Sequence, residues 1–162
     1  SLFISIHADS AGDQNDDISG ASIYTLSDEA SSEAAARFAA RENDADRLNG
    51  ITIDGASANV SAILVGLSQQ RTQEDSLAFA GLVLREGEQS LAFVPQPRRA
   101  AALAVLRAPD VPSVLFESGF VTNLTDRARL TTAEGRAQYA AVLARAIRVH
   151  FARRREEGAG GG

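Results

Sequence analysis

Two residues stand where chemistry could be done. His7 ends the apolar run Leu2-Phe3-Ile4-Ser5-Ile6, and Glu117 follows Val114-Leu115-Phe116 and precedes Ser118-Gly119-Phe120. An imidazole at the exit of a core strand can bind a metal or move a proton near neutral pH. A carboxylate leaving a buried strand is costly to desolvate unless it has a partner or a task. Each also has a plainer reading, since a single histidine is often a hydrogen-bonded structural residue and Glu117 could pair with Arg107 or Arg127. His7 is one of only two histidines, and the other, His150, lies near the end of the last helix beside arginines, so metal chemistry here leans on His7.

The elements that must hold these residues follow from patterning. Residues 2–7 are apolar on both faces, which predicts a central, doubly covered strand. Asp9 to Gly20 is polar and turn-rich and predicts a loop. Residues 21–26 alternate and predict a second, more exposed strand. Ser27, with Asp28 and Glu29 behind it, suits the start of a helix that carries Ala34, Phe38, Ala45 and Leu48 and stops at Asn49-Gly50. Arg41, Glu42, Asn43, Asp44, Asp46 and Arg47 make that helix too polar for a core, so it lies on the surface or covers a site. A longer helix is expected from about Ala58 to Arg85, a turn at Pro95-Gln96-Pro97, a short strand over 103–106, a strand over Ser113–Phe116 and a final helix from Ala133 to about Phe151. Residues 153–162 read as a disordered tail.

Strands interleaved with helices in this way predict an α/β fold, a mostly parallel sheet covered by helices on both faces. The ligand crevice of such a sheet lies beyond the carboxyl ends of its strands, which is where His7 and Glu117 fall. The 162 residues suffice for one domain with a real core, placed at 1–152. A net charge of −5 argues against a nucleic-acid partner, and all sixteen basic residues are arginine. Zero cysteine removes disulfides, thiolate nucleophiles and cysteine-based metal sites. No apolar run is long enough for a membrane span. The early apolar run and the absence of methionine suggest a chain that begins inside a fold.

Ser5-Ile6-His7-Ala8-Asp9 together with Val114 to Asn123 resembles the zinc-dependent N-acetylmuramoyl-L-alanine amidases, and Leu103 to Pro112 resembles the segment before their glutamate strand. The resemblance runs to about Phe151. It implies hydrolysis of the amide between N-acetylmuramic acid and L-alanine in peptidoglycan, with Zn2+ as cofactor, His7 as a zinc ligand and Glu117 as the catalytic carboxylate. It also implies a further histidine and glutamate ligand upstream of residue 1, so that the chain by itself would bind zinc weakly or not at all.

Residues 27–89 resemble the helical insertion of the cell-division branch of that family, which blocks the active site until an activator protein displaces it. Glu42 is then the first choice for an autoinhibitory contact to the metal and Asp46 the second. A solvated helical face is the competing reading of the same residues. The resemblance implies a periplasmic or cell-envelope setting and a role in daughter-cell separation. The reading from another class is a non-catalytic family fragment that binds cell wall or a regulatory partner.

Overall fold

The computed structural model describes residues 1–10, 17–48, 62–108 and 110–159, with backbone alone for 62–68. Four strands, β1 (Phe3–Asp9), β2 (Ala21–Leu26), β3 (Phe93–Ala101) and β4 (Ser113–Phe120), form one sheet in the order β1-β4-β2-β3. β1 runs parallel to β4 and β2 parallel to β3, while β2 and β4 are antiparallel. The sheet is therefore mixed, with two parallel pairings of three. Helices α1 (Glu33–Leu48), α2 (Ala62–Gly87), α3 (Leu124–Thr131) and α4 (Ala133–Ala159) complete the α/β fold.

Alternation along the strands divides the core in two. Ala21, Ile23, Val114 and Phe116 pack with Phe79, Leu82 and Val83 of α2 and Tyr139, Val142 and Ala146 of α4. Tyr24 and Leu115 point the other way, to Ala35, Phe38 and Ala39 of α1 and to Leu103 and Leu106. Tyr24 and Phe38 stack with centroids 4.5 Å apart. α1 thus has an apolar footing at its N-terminal half, after which its sequence turns polar.

Several expectations are corrected. β1 lies at the sheet edge, not its centre, with Ile6 62% exposed, and β2 is a buried interior strand beside β4. Apolar content identifies a strand, but its place in the sheet depends on distant pairing partners. Residues 93–101 form β3 in spite of Pro95 and Pro97, which an edge strand tolerates because half its N–H groups need no ladder partner. Residues 104–106 are a 3-10 turn, not a strand.

α1 begins at Glu33 rather than Asp28. The Ala35 N–H donates to Ser32 Oγ (3.1 Å), while the Ser27 and Ser31 N–H groups bond to carbonyls at the end of β3. Its buried stripe is Ala35, Phe38 and Ala39, and Leu48 is exposed. The Asn49-Gly50 stop and Val60 lie outside the described residues. Within the 27–89 stretch, α2 contributes Phe79, Ala80, Leu82 and Val83 to the core. α4 continues through Ala159, so residues 153–159 are helical where disorder was expected, and Arg154 pairs with Asp75 of α2 at 2.8 Å.

Candidate active site

His7 and Glu117 are cross-strand neighbours. β1 and β4 place them in register, and the alternation of each strand puts both on the α1 face. Glu117 is 1% exposed. Its Oε1 accepts the Asp9 N–H at 2.9 Å and the Gly119 N–H at 3.4 Å. Oε2 has no hydrogen-bond partner among the described residues. Burial pushes the carboxyl up to about 8 against the lowering effect of those two N–H groups, and the nearby Asp9 and Glu42 carboxylates raise it further. Glu117 can therefore hold or release a proton near neutral pH, which an acid/base catalyst needs.

The chain beyond Glu117 is held by a second buried carboxylate. Asp126, fully buried at the start of α3, accepts the Gly20 N–H (2.8 Å), the Phe120 N–H (3.0 Å) and the Ser19 hydroxyl (2.8 Å), with Arg129 at 3.3 Å. Gly119 has φ +140°, and a Cβ there would come within 2.8 Å of Asp126 Oδ2, so the close approach of carboxylate to backbone requires glycine. Ser118 Oγ donates to the His7 carbonyl, tying the two strand ends together.

α1 lies over this site with its polar half. The His7 ring nitrogen Nδ1 meets Glu42 Oε2 at 2.7 Å. Burial raises the Glu42 carboxyl, opposed by His7. One residue earlier, Arg41 pairs with Asp9, whose N–H already bonds Glu117. One residue later, the Asn43 amide donates to the Ala102 carbonyl (2.9 Å) and accepts the Ala104 N–H (2.8 Å). Glu42 thus contacts His7 directly. Asp46 makes no hydrogen bond or ion pair among the described residues and acts on Glu42 only through its charge. His150 packs edge-on against Phe79 and Phe151 in the opposite core and takes no part.

Arg41, Asn43 and Asp126 had not been singled out. Asp126 had a local signal, since Asn123 caps α3 three residues before it, accepting the Thr125 and Asp126 N–H groups. Arg41 and Asn43 look like any polar helix face until the strands beneath them are known.

A catalytic zinc takes three protein ligands and leaves one position open. Here His7 and Glu42 offer one nitrogen and one carboxylate that bond to each other, and no group of three such residues able to hold a metal occurs among the described residues. The described residues by themselves do not fit a complete zinc site.

Comparison with known proteins gives one consistent answer. The family model for N-acetylmuramoyl-L-alanine amidase matches residues 1–149. The chain is 34% identical to the amidase AmiA of Escherichia coli over 93% of its own length and 52% of that protein. It is 32% identical to AmiC of Neisseria meningitidis over 90% of its length and 35% of that protein. It therefore spans about half or less of the length of these relatives. Among solved structures, the amidase Ami1 of Mycobacterium smegmatis superposes with a TM-score of 0.56 at 21% identity, covering 91% of this chain and 52% of that one. The CwlD amidase of Clostridioides difficile, solved in complex with the GerS lipoprotein, gives 0.54 at 16% identity over 93% and 54%.

Proposed function

The chain belongs to the N-acetylmuramoyl-L-alanine amidase family, and on that premise we propose that its protein hydrolyses the amide between N-acetylmuramic acid and L-alanine in peptidoglycan, with Glu117 moving the proton. The observation that carries this reading is the cross-strand pairing of His7 with Glu117 at the carboxyl ends of adjacent strands, where burial pushes the Glu117 carboxyl up to about 8. Amide hydrolysis needs one group that takes a proton from the attacking water and returns it to the departing nitrogen. Glu117 suits both halves, because its ionised form accepts and its neutral form donates within about a unit of working pH. The Asp9 and Gly119 N–H groups fix Oε1, and Oε2 is left without a hydrogen-bond partner among the described residues.

Zinc is the cofactor we propose for the whole protein, with His7 among its ligands. The family resemblance supports it, and the shortfall of donors in the described residues means that other ligands must come from elsewhere in the protein. The setting proposed is the periplasm or cell envelope, with a role in separating daughter cells. No helix among the described residues is long and apolar enough to cross a membrane.

α1 is the proposed autoinhibitory element, and the Glu42–His7 contact supports it. A protein activator would act by displacing that helix. The CwlD neighbour, solved with a lipoprotein, is an amidase seen with a protein partner.

The second reading, a non-catalytic wall-binding member, is favoured by the incomplete donor set among the described residues. Stem-peptide release from purified cell wall by the full-length protein separates the two. We expect release with zinc and loss of at least a hundredfold for Glu117→Gln. Equal release by wild type and Glu117→Gln would remove Glu117 from the mechanism, and no release from either, with wall binding retained, would favour the binding role.

A further inference from the structure

The sheet brings a third residue to the row formed by His7 and Glu117. In the antiparallel pairing of β2 with β4, Ser22 lies directly opposite Glu117. Directly opposed residues of an antiparallel pair share a face, with Cβ atoms about 4.5–5.5 Å apart. Ser22, like Glu117, is 1% exposed. Burying a hydroxyl or a carboxylate oxygen without a hydrogen bond costs about 1–3 kcal/mol, so buried polar atoms are nearly always paired. Only three buried side-chain polar atoms lack a partner among the described residues, and two of them are Ser22 Oγ and Glu117 Oε2. Two such atoms thus stand on facing residues of one ladder.

We infer that Ser22 is a positioning residue for Glu117, its hydroxyl bonding to Oε2 and fixing the carboxyl plane for proton transfer. The inference rests on the proposed role of Glu117. The chemistry of the two groups suits it. A hydroxyl donates to an ionised carboxylate, so Ser22 can hold Oε2 in the form that takes the proton from the water. Each carboxylate oxygen has two lone pairs, so an Oε2 that accepts from Ser22 keeps one for the reacting water. With Oε1 held by the Asp9 and Gly119 N–H groups, Ser22 then fixes the remaining freedom of the carboxyl. On the same face, the Tyr24 phenol accepts from Arg99 Nη1 at 3.2 Å; burial raises the phenol, hydrogen bonding from the Ser22 hydroxyl lowers it and the Glu117 charge raises it. Tyr24 is therefore the rival partner of the hydroxyl that would orient Glu117.

The test uses Ser22→Ala, Ser22→Thr and Glu117→Gln in the full-length protein with two readouts. The first is the Glu117 carboxyl stretching band in the infrared, assigned by its absence in Glu117→Gln. The second is amidase kcat and KM. We expect Ser22→Ala to shift the band toward that of a free carboxyl and to lower kcat about tenfold with KM and metal content unchanged, while Ser22→Thr restores both. A band identical in wild type and Ser22→Ala overturns the contact whatever the activity. A shifted band with unchanged kcat overturns the positioning role. Full activity in Glu117→Gln would sink the proton-transfer reading instead, and the infrared result would still report whether the two side chains meet.

Discussion

Glu117 is held in a place that favours its neutral form, and its stability signature follows. Burial pushes the carboxyl up to about 8 in the folded protein, against about 4.5 for a free side chain. Between these two values the folded chain holds a proton that the unfolded chain has lost, so stability is greatest below about pH 4.5 as far as this group is concerned and falls as pH rises toward 8. Glu117→Gln removes that dependence. The variant is expected to be more stable than wild type at pH 8 by on the order of 3 kcal/mol, and to converge with it near pH 5, which denaturant melts at the two pH values measure. A wild-type advantage at pH 8 would mean that the carboxylate is stabilised where it stands. At this scale His7 and Glu117 could be picked out in the sequence because each sits in a short motif at a strand exit, while Glu42 was reached only through the family resemblance. Ser22, Arg41 and Asn43 could not be picked out, because what gives them meaning is a neighbour on another strand or loop.

The element that lies over the candidate site is α1. Its apolar half is fixed by Phe38 on Tyr24, and its polar half is held at three consecutive residues: Arg41 to Asp9, Glu42 to His7, and Asn43 to the backbone of Ala102 and Ala104. Asn43 touches nothing in the catalytic row, so it isolates the hold from the chemistry. Asn43→Ala in the full-length protein is expected to raise activator-independent amidase activity severalfold and to speed hydrogen exchange in α1. Unchanged exchange would show that the two bonds do not fasten the helix. α3 presents the contrasting case of an element whose buried carboxylate is structural. Asp126→Ala leaves the Gly20 and Phe120 N–H groups without their acceptor and is expected to cost about 3 kcal/mol, seen as a lower urea midpoint. Patterning identified α1, α2 and α4 but misplaced their ends, because Ser32 rather than Ser27 caps α1 and because the charged residues after Phe151 are good helix formers. It missed β3 altogether, since two prolines argue for a turn unless the strand is known to lie at an edge.

For the whole molecule, the α/β class and the placing of the site at the strand ends were readable from the order and spacing of apolar runs. The sheet order was not, because it is set by pairings between segments more than a hundred residues apart, such as β1 with β4. That order leaves β1 at an edge with Phe3 and Ile6 exposed, a surface that favours strand-to-strand association. The 162-residue chain alone is expected to self-associate at high concentration, with Ile6→Lys reducing light scattering, and equal scattering by both would place the association elsewhere. The bond that is cut is tested most directly by mass spectrometry of the fragments that the full-length, zinc-supplied protein releases from purified peptidoglycan. Free stem peptides beginning with an unblocked L-alanine, with the glycan strands left intact, are expected. Fragments that keep L-alanine joined to N-acetylmuramic acid, whether sugars or cross-link products, would show that a different bond is cut.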